Sequence, residues 1–141
     1  TNTATKPINI GKAGSSISIS ISPTTLTIGE STTISGSLSP TRAATTVTIQ
    51  YRANEGTWTT LTSVTTDSDG TYSYTWTPTT AGTYEIKASW EGDENTLPSE
   101  STEQSVTAEA APTFPWEWLL IAGIGGIAAV AALLVYLKRK P

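Results

Sequence analysis

The sequence predicts an all-β chain, an antiparallel β-sandwich, followed by one C-terminal transmembrane α-helix. Three observations carry this expectation. Apolar residues alternate with Ser and Thr in seven or eight short runs across residues 16–108, the period of half-buried strands. Pro, Gly, Asn and Asp punctuate those runs at near-regular spacing, as the turns of a sandwich require. The twenty residues 118–137, WLLIAGIGGIAAVAALLVYL, then carry no charge.

In chain order, residues 1–15 are polar, interrupted by Pro7, Gly11 and Gly14, and read as a linker or loosely held arm in which Ile8 and Ile10 offer a short strand. Ile17, Ile19 and Ile21 alternate with Ser until Pro23 ends the run, and Leu26 and Ile28 continue toward Gly29. Ile34, Gly36 and Leu38 mark the next strand, closed by Pro40. Val47, Ile49 and Tyr51 mark another, stopped at the turn Asn54, Glu55, Gly56. Trp58, Leu61 and Val64 lie three apart, which breaks the alternation. Thr fills nearly every gap between them and β-branched residues favour sheet, so the stretch reads as two short strands or one with a bulge, not as a helix.

Asp67, Ser68, Asp69 and Gly70 form a turn, after which Tyr72, Tyr74 and Trp76 share one strand face. A connection from Pro78 to Gly82 leads to Tyr84, Ile86, Ala88 and Trp90, which share a face opposite Thr83, Glu85, Lys87 and Ser89. Residues 91–98 are an acidic loop, residues 101–108 a final strand carrying Val106, and residues 109–117 a stalk with Ala110, Ala111 and Pro112. The expected organisation is therefore an arm (1–15), a sandwich (16–108), the stalk (109–117), a membrane helix (118–137) and a basic tail (138–141).

At about 1.5 Å per residue a helix over 118–137 spans roughly 30 Å, the hydrocarbon thickness of a bilayer. Its ten Leu, Ile and Val residues favour insertion. Lys138, Arg139 and Lys140 predict a cytoplasmic C-terminus, since positive residues beside a span stay inside, and so an outward-facing N-terminal domain. Trp116 and Trp118 at one end and Tyr136 at the other fit the aromatic belts at the lipid boundary. Ala122, Gly125, Ala129 and Ala132 recur at steps of three and four, a small-residue stripe that permits close approach of another helix. The plain alternative is that small residues are common in membrane helices.

Composition excludes several chemistries. Twelve acidic and five basic residues precede the basic tail, a net charge of −7, so the outer part is a poor nucleic-acid binder. Cys, His and Met are absent. That removes disulfides, ordinary zinc, copper and haem sites, and any His-dependent nucleophile. The sandwich must be held by packing and hydrogen bonds alone, and no cofactor is expected. The lack of an initiator Met leads to the expectation that a leader was removed or that residues precede Thr1.

Residues 16–108 resemble the bacterial immunoglobulin-like domains of bacterial and archaeal surface proteins. The similar stretches are Ile28-Gly29-Glu30-Ser31 with Ile34-Ser35-Gly36, Asp67-Ser68-Asp69-Gly70-Thr71-Tyr72, Trp76-Thr77-Pro78, Ala81-Gly82-Thr83-Tyr84 and Trp90-Glu91-Gly92-Asp93. The resemblance implies an Ig-like Greek-key sandwich used as a spacer, adhesive or docking module, with no catalytic residues to carry over. It departs from the usual pattern in showing one module where such domains commonly come in arrays.

Asp67 and Asp69, two apart before Gly70, are weak calcium candidates, shared with Glu91, Asp93 and Glu94. A full calcium loop needs a Glu near its twelfth position, where Pro78 stands, and a tight turn wants the same Asp and Gly. Asp93 and Glu94 invite comparison with the carboxylate pair of a glycosidase, but nothing in the sequence builds a cleft around them. Trp58, Trp76, Trp90, Tyr72 and Tyr74 are candidates for stacking on a glycan. The shared strand parity of Tyr72, Tyr74 and Trp76, and of Tyr84 and Trp90, favours core filling instead.

The Ser and Thr residues admit O-glycosylation, and no Asn-x-Ser/Thr sequon exists. The expected function is a non-enzymatic, single-pass surface protein with a structural, adhesive or docking role. Its partners are the lipid bilayer and other proteins, reached through the sandwich or the small-residue stripe, with self-association left open. An accessory subunit of a membrane complex and a subunit of a filament or enveloped virion are the alternatives.

Overall fold

The computed structural model describes residues 11–113, which contain ten strands and no helix. In order they are β1 (Ser16–Ile17), β2 (Ser20–Ser22), β3 (Thr25–Thr27), β4 (Thr32–Ser39), β5 (Thr46–Ala53), β6 (Thr59–Thr65), β7 (Thr71–Trp76), β8 (Gly82–Trp90), β9 (Ser99–Glu100) and β10 (Gln104–Glu109). β4 is the centre of the smaller sheet, with β1 and β2 on one side and β7 on the other. The larger sheet runs β3-β10-β8-β5-β6, with β9 beside the far end of β8. The links from β4 to β5, β6 to β7 and β7 to β8 each cross between sheets, the Greek-key arrangement. No described helix is long and apolar enough to cross a membrane. The expected span and tail, with Trp116, Trp118, Ala122, Gly125, Ala129, Ala132, Tyr136, Lys138, Arg139 and Lys140, lie outside the described residues.

Alternation sends one face of each strand inward. Ile34, Leu38, Val47, Ile49, Ile86, Ala88 and Val106 are at most 2% exposed and fill the space between the sheets. Burying each large aliphatic side chain contributes about 1.5–3 kcal/mol, which replaces the covalent staples this chain lacks. Toward one end, Trp76 meets Tyr84 edge-to-face at 4.9 Å between ring centroids, and Tyr51 lies about 6 Å from both. These geometries let aromatic pairs contribute beyond their buried area.

Ile17, Ile19 and Ile21 lie on one register against β4, with Ile17 opposite Leu38 and Ile21 opposite Ile34, although the ladder opens at Ser18. The opening has a specific cause. Tyr72 stands opposite Gly36 on the other side of β4, and its hydroxyl reaches across to donate to the Ser18 carbonyl oxygen at 2.5 Å. The path exists because Gly36 has no side chain: a Cβ there would collide with that oxygen and with the Tyr72 hydroxyl. Burial raises the Tyr72 pKa above its ordinary value of 10.

The stretch after Trp58 is one strand with a bulge. Ile49 pairs with Thr62 and Gln50 with Thr60, leaving Leu61 as the extra residue of β6. The last strand is shorter than the expected 101–108 run, β10 beginning at Gln104, and a two-residue strand outside that run, β9, precedes it at Ser99–Glu100. Between them Ser101 turns its hydroxyl oxygen to accept the Ala88 N–H at 2.9 Å, a bond the ladder would otherwise supply.

Gly36→Ala is expected to destabilise the sandwich by about 3 kcal/mol in denaturant unfolding, because the obstruction is backbone and cannot turn aside. Since the folded Tyr72 pKa is raised, its contribution is whole below the unfolded value near 10 and is lost as pH rises toward the folded one. Wild-type stability should therefore fall between about pH 9 and 11.5 more steeply than that of Tyr72→Phe, which begins about 1–2 kcal/mol lower. Equal pH slopes would show that Tyr72 titrates as freely folded as unfolded.

Candidate interaction surface

The outer face of the larger sheet carries a row of paired charged side chains beside an aromatic ring. Arg52 on β5 stands opposite Glu85 on β8, and their side chains pair through Arg52 Nε. The same guanidinium reaches Glu103 at 3.2 Å, and Lys87, one outward position along β8, pairs with Glu100 of β9 at 3.3 Å. Trp58 lies over this row, its ring 4.8 Å from the Arg52 guanidinium carbon and 4.6 Å from Lys87 Nζ. The hydrogen bond to Glu85 raises the Arg52 pKa, and the charges of Glu85, Glu103 and Glu55 add to it. Such exposed pairs contribute little stability each. Their effect is to keep two cations against the Trp58 ring.

A second group sits at the end of the sandwich where the chain enters. Arg42, between β4 and β5, pairs with Asp93 at 2.8 Å, donates to Thr96 Oγ1 at 2.5 Å and stacks 5.3 Å from the Trp90 ring centre. Thr96 is 2% exposed, so the acidic loop is tied to the body of the fold at its middle. Residues just before β1 are bound to the same loop. Ala13 N–H donates to the Asn95 carbonyl, Leu97 N–H to the Ala13 carbonyl, and Ser15 Oγ to the Leu97 carbonyl, at 2.6–2.9 Å. Between this loop and β5 lies an open groove of about 430 Å³, floored by Gln50 and Ser89 and edged by Trp90, Glu91 and Glu100.

The candidate residues separate cleanly in space. Tyr72, Trp76 and Trp90 are buried and Tyr74 is packed against them, so they fill the core. Trp58 alone of the proposed stacking residues faces outward. Its parity is set by the bulge at Leu61, which a simple alternation does not register. Asp69 Oδ1 accepts the Thr71 hydroxyl at 2.7 Å and the Thr71 N–H at 3.3 Å, and Gly70 adopts a φ of 78°, so the segment is built as a turn. Those bonds from Thr71 lower the Asp69 pKa. Among the described residues no three acidic side chains are grouped as a metal site.

The Asn95 N–H, then Thr96 and Arg42, hold the Asp93 carboxyl below its ordinary range. That is opposite to what a protonated general acid needs. Arg42, Arg52 and Lys87 belong to no sequence motif. The one available signal is that Arg52, Glu85 and Lys87 all occupy outward positions of predicted strands, and the register that brings them together comes only from pairing.

The family model for the bacterial Ig-like domain (group 3) matches residues 19–109, well over half of the chain. A search of curated proteins finds no match. Among solved structures, the PKD domain of human KIAA0319 aligns with a TM-score of 0.46 at 13% identity, covering 81% of this chain and 97% of that one. Ig-like domains of this kind are generally binding or structural modules. By its sequence match across β2 to β10, the chain belongs to the bacterial Ig-like domain family, group 3.

Proposed function

We propose that this chain is an outward-facing, single-pass envelope protein, carried on the apolar segment 118–137, whose Ig-like sandwich has a structural, adhesive or protein-docking role and no catalytic one. The observation that supports this most strongly is the path of the chain through the sandwich. Ser16 pairs with Ser39, the last residue of β4, while Thr32, the first, pairs with Trp76. Glu109 ends beside Thr27, near Pro78, whose carbonyl accepts the Gly29 N–H. The chain thus enters at one end of the sandwich and leaves at the opposite end, the geometry of a spacer that separates the segments on its two sides.

The positive residues Lys138, Arg139 and Lys140 support a cytoplasmic C-terminus. The Trp58 row and the acidic entry loop supply surfaces through which other proteins would be met. A second reading, an accessory subunit of a membrane complex, is favoured by the stripe Ala122, Gly125, Ala129, Ala132.

Because the chain has no cysteine, single thiols report topology without background. In whole cells a membrane-impermeant maleimide should label Thr79→Cys, in the exposed link before β8, and should label Lys140→Cys only after the membrane is opened. Labelling in the reverse order, or recovery of the full chain without detergent, contradicts the reading.

A further inference from the structure

We propose that two copies of this chain join side by side through their edge strands, the β6 of each copy pairing antiparallel with the β7 of the other. β6 ends the larger sheet and β7 the smaller, and among the described ladders each is paired on one side alone, β6 with β5 and β7 with β4. The two edges lie on the same side of the sandwich. The opposite side is closed by β2 and β3, where the chain passes from one sheet to the other within three residues. Ile17, Ile21 and Leu26 are buried there, with Ile19 partly so. On the β6–β7 side Leu61, Val64 and Tyr74 pack against the core yet stay partly exposed, a seam between two open edges.

Charge points to a second copy as the occupant. Exposed sheet edges are ordinarily guarded against pairing by charged side chains or Pro. Residues 57–66 and 70–77 contain neither. The part of the chain before the basic tail carries a net charge of −7, which opposes the approach of a like copy from its acidic faces and leaves the uncharged side as the place where two copies meet at least electrostatic cost. The bulge at Leu61 interrupts β6, but residues 62–65 run on unbroken beyond it.

Strand direction selects the arrangement. β7 runs from the entry end, with Thr71 opposite Ser37, to the exit end, with Trp76 opposite Thr32. β8 leaves the exit end, so β5, antiparallel to it, runs toward the exit and β6 runs back toward the entry. A two-fold axis parallel to the strands therefore sets each β6 antiparallel to the other copy's β7, and the larger sheet of each copy continues into the smaller sheet of the other. The two seams then cover one another. The exit ends of both copies face the same way, as anchoring in one membrane requires, and the choice of this axis rests on that proposed anchoring. An axis perpendicular to the sheets would instead pair β6 with β6 and send the exit ends apart.

Cross-linking of the full chain in native membranes tests this with two single-thiol variants. Ser63→Cys on β6 and Ser73→Cys on β7 are exposed positions, each two residues from the entry end of its strand. When the two variants are co-expressed, a bismaleimide spanning about 8 Å, the reach of a diagonal cross-strand pair, should link them at severalfold the yield of either variant alone. Like positions do not link, because they lie on opposite faces of the joined sandwich, whose sheets are about 10 Å apart. Linkage of Ser63→Cys to itself as readily as to Ser73→Cys overturns the arrangement, and so does the absence of linkage in all three samples. The labelling order of Thr79→Cys and Lys140→Cys does not depend on this pairing, so the two readings fail separately.

Discussion

Between Ser22 and Thr25 the chain leaves the edge of one sheet and joins the edge of the other, and this transfer ties together two layers that no disulfide joins. β2 ends against β4 and β3 begins against β10 within three residues, through the cis Ser22–Pro23 peptide. The Thr32 hydroxyl holds the transfer in place by donating to the Pro23 carbonyl at 2.6 Å, and Thr32 is itself 1% exposed. A buried hydroxyl is tolerated there because its bond is made. The apolar contacts between sheets are non-directional. The transfer and the Tyr72 bridge over Gly36 fix where each edge strand sits, and so which surfaces the finished sandwich presents.

That placement determines the outer surfaces. Each cation among the described residues is already engaged: Lys12 with the Asp93 carbonyl, Arg42 with Asp93, Arg52 with Glu85 and Glu103, Lys87 with Glu100. A partner approaching the larger sheet or the entry loop therefore meets carboxylates, with Trp58 as the one large aromatic surface among them. Exposed ion pairs do little for stability, but they set the orientation of groups on a sheet that is otherwise covered by Thr and Ser. The charge of the chain is thus expressed as a local pattern of neutralised rows and free acidic loops.

Much of the fold is legible because burial in a sandwich imposes a period of two. Alternation alone places Ile34, Leu38, Val47, Ile49, Tyr84, Ile86 and Ala88 inward, and all are buried. The turns at Asn54 and Gly70 are legible because their backbones adopt positive φ, 49° and 78°, which Asn and Gly accept most readily. What alternation does not carry is pairing. The transfer at Pro23 reads only as the end of a strand, and the parallel neighbour of Leu26 lies some eighty residues away along the chain. The bonding of Ala13 and Ser15 to the acidic loop is equally hidden, since their composition is that of a linker. The Trp58 row requires both the β5–β8 register and the bulge at Leu61, neither of which leaves a composition signature.

Native-state hydrogen exchange tests the dependence on the transfer most directly. If the β2–β3 transfer is integral to both layers, the Ile28 and Thr107 amides, which bond across β3 and β10, should exchange only through global unfolding. Their opening free energy would then match that of Ile49 and Ile86 in the core. Exchange of Ile28 and Thr107 through a much smaller local opening, with Ile49 and Ile86 still protected, would show that the sandwich stands without the transfer and would contradict the account.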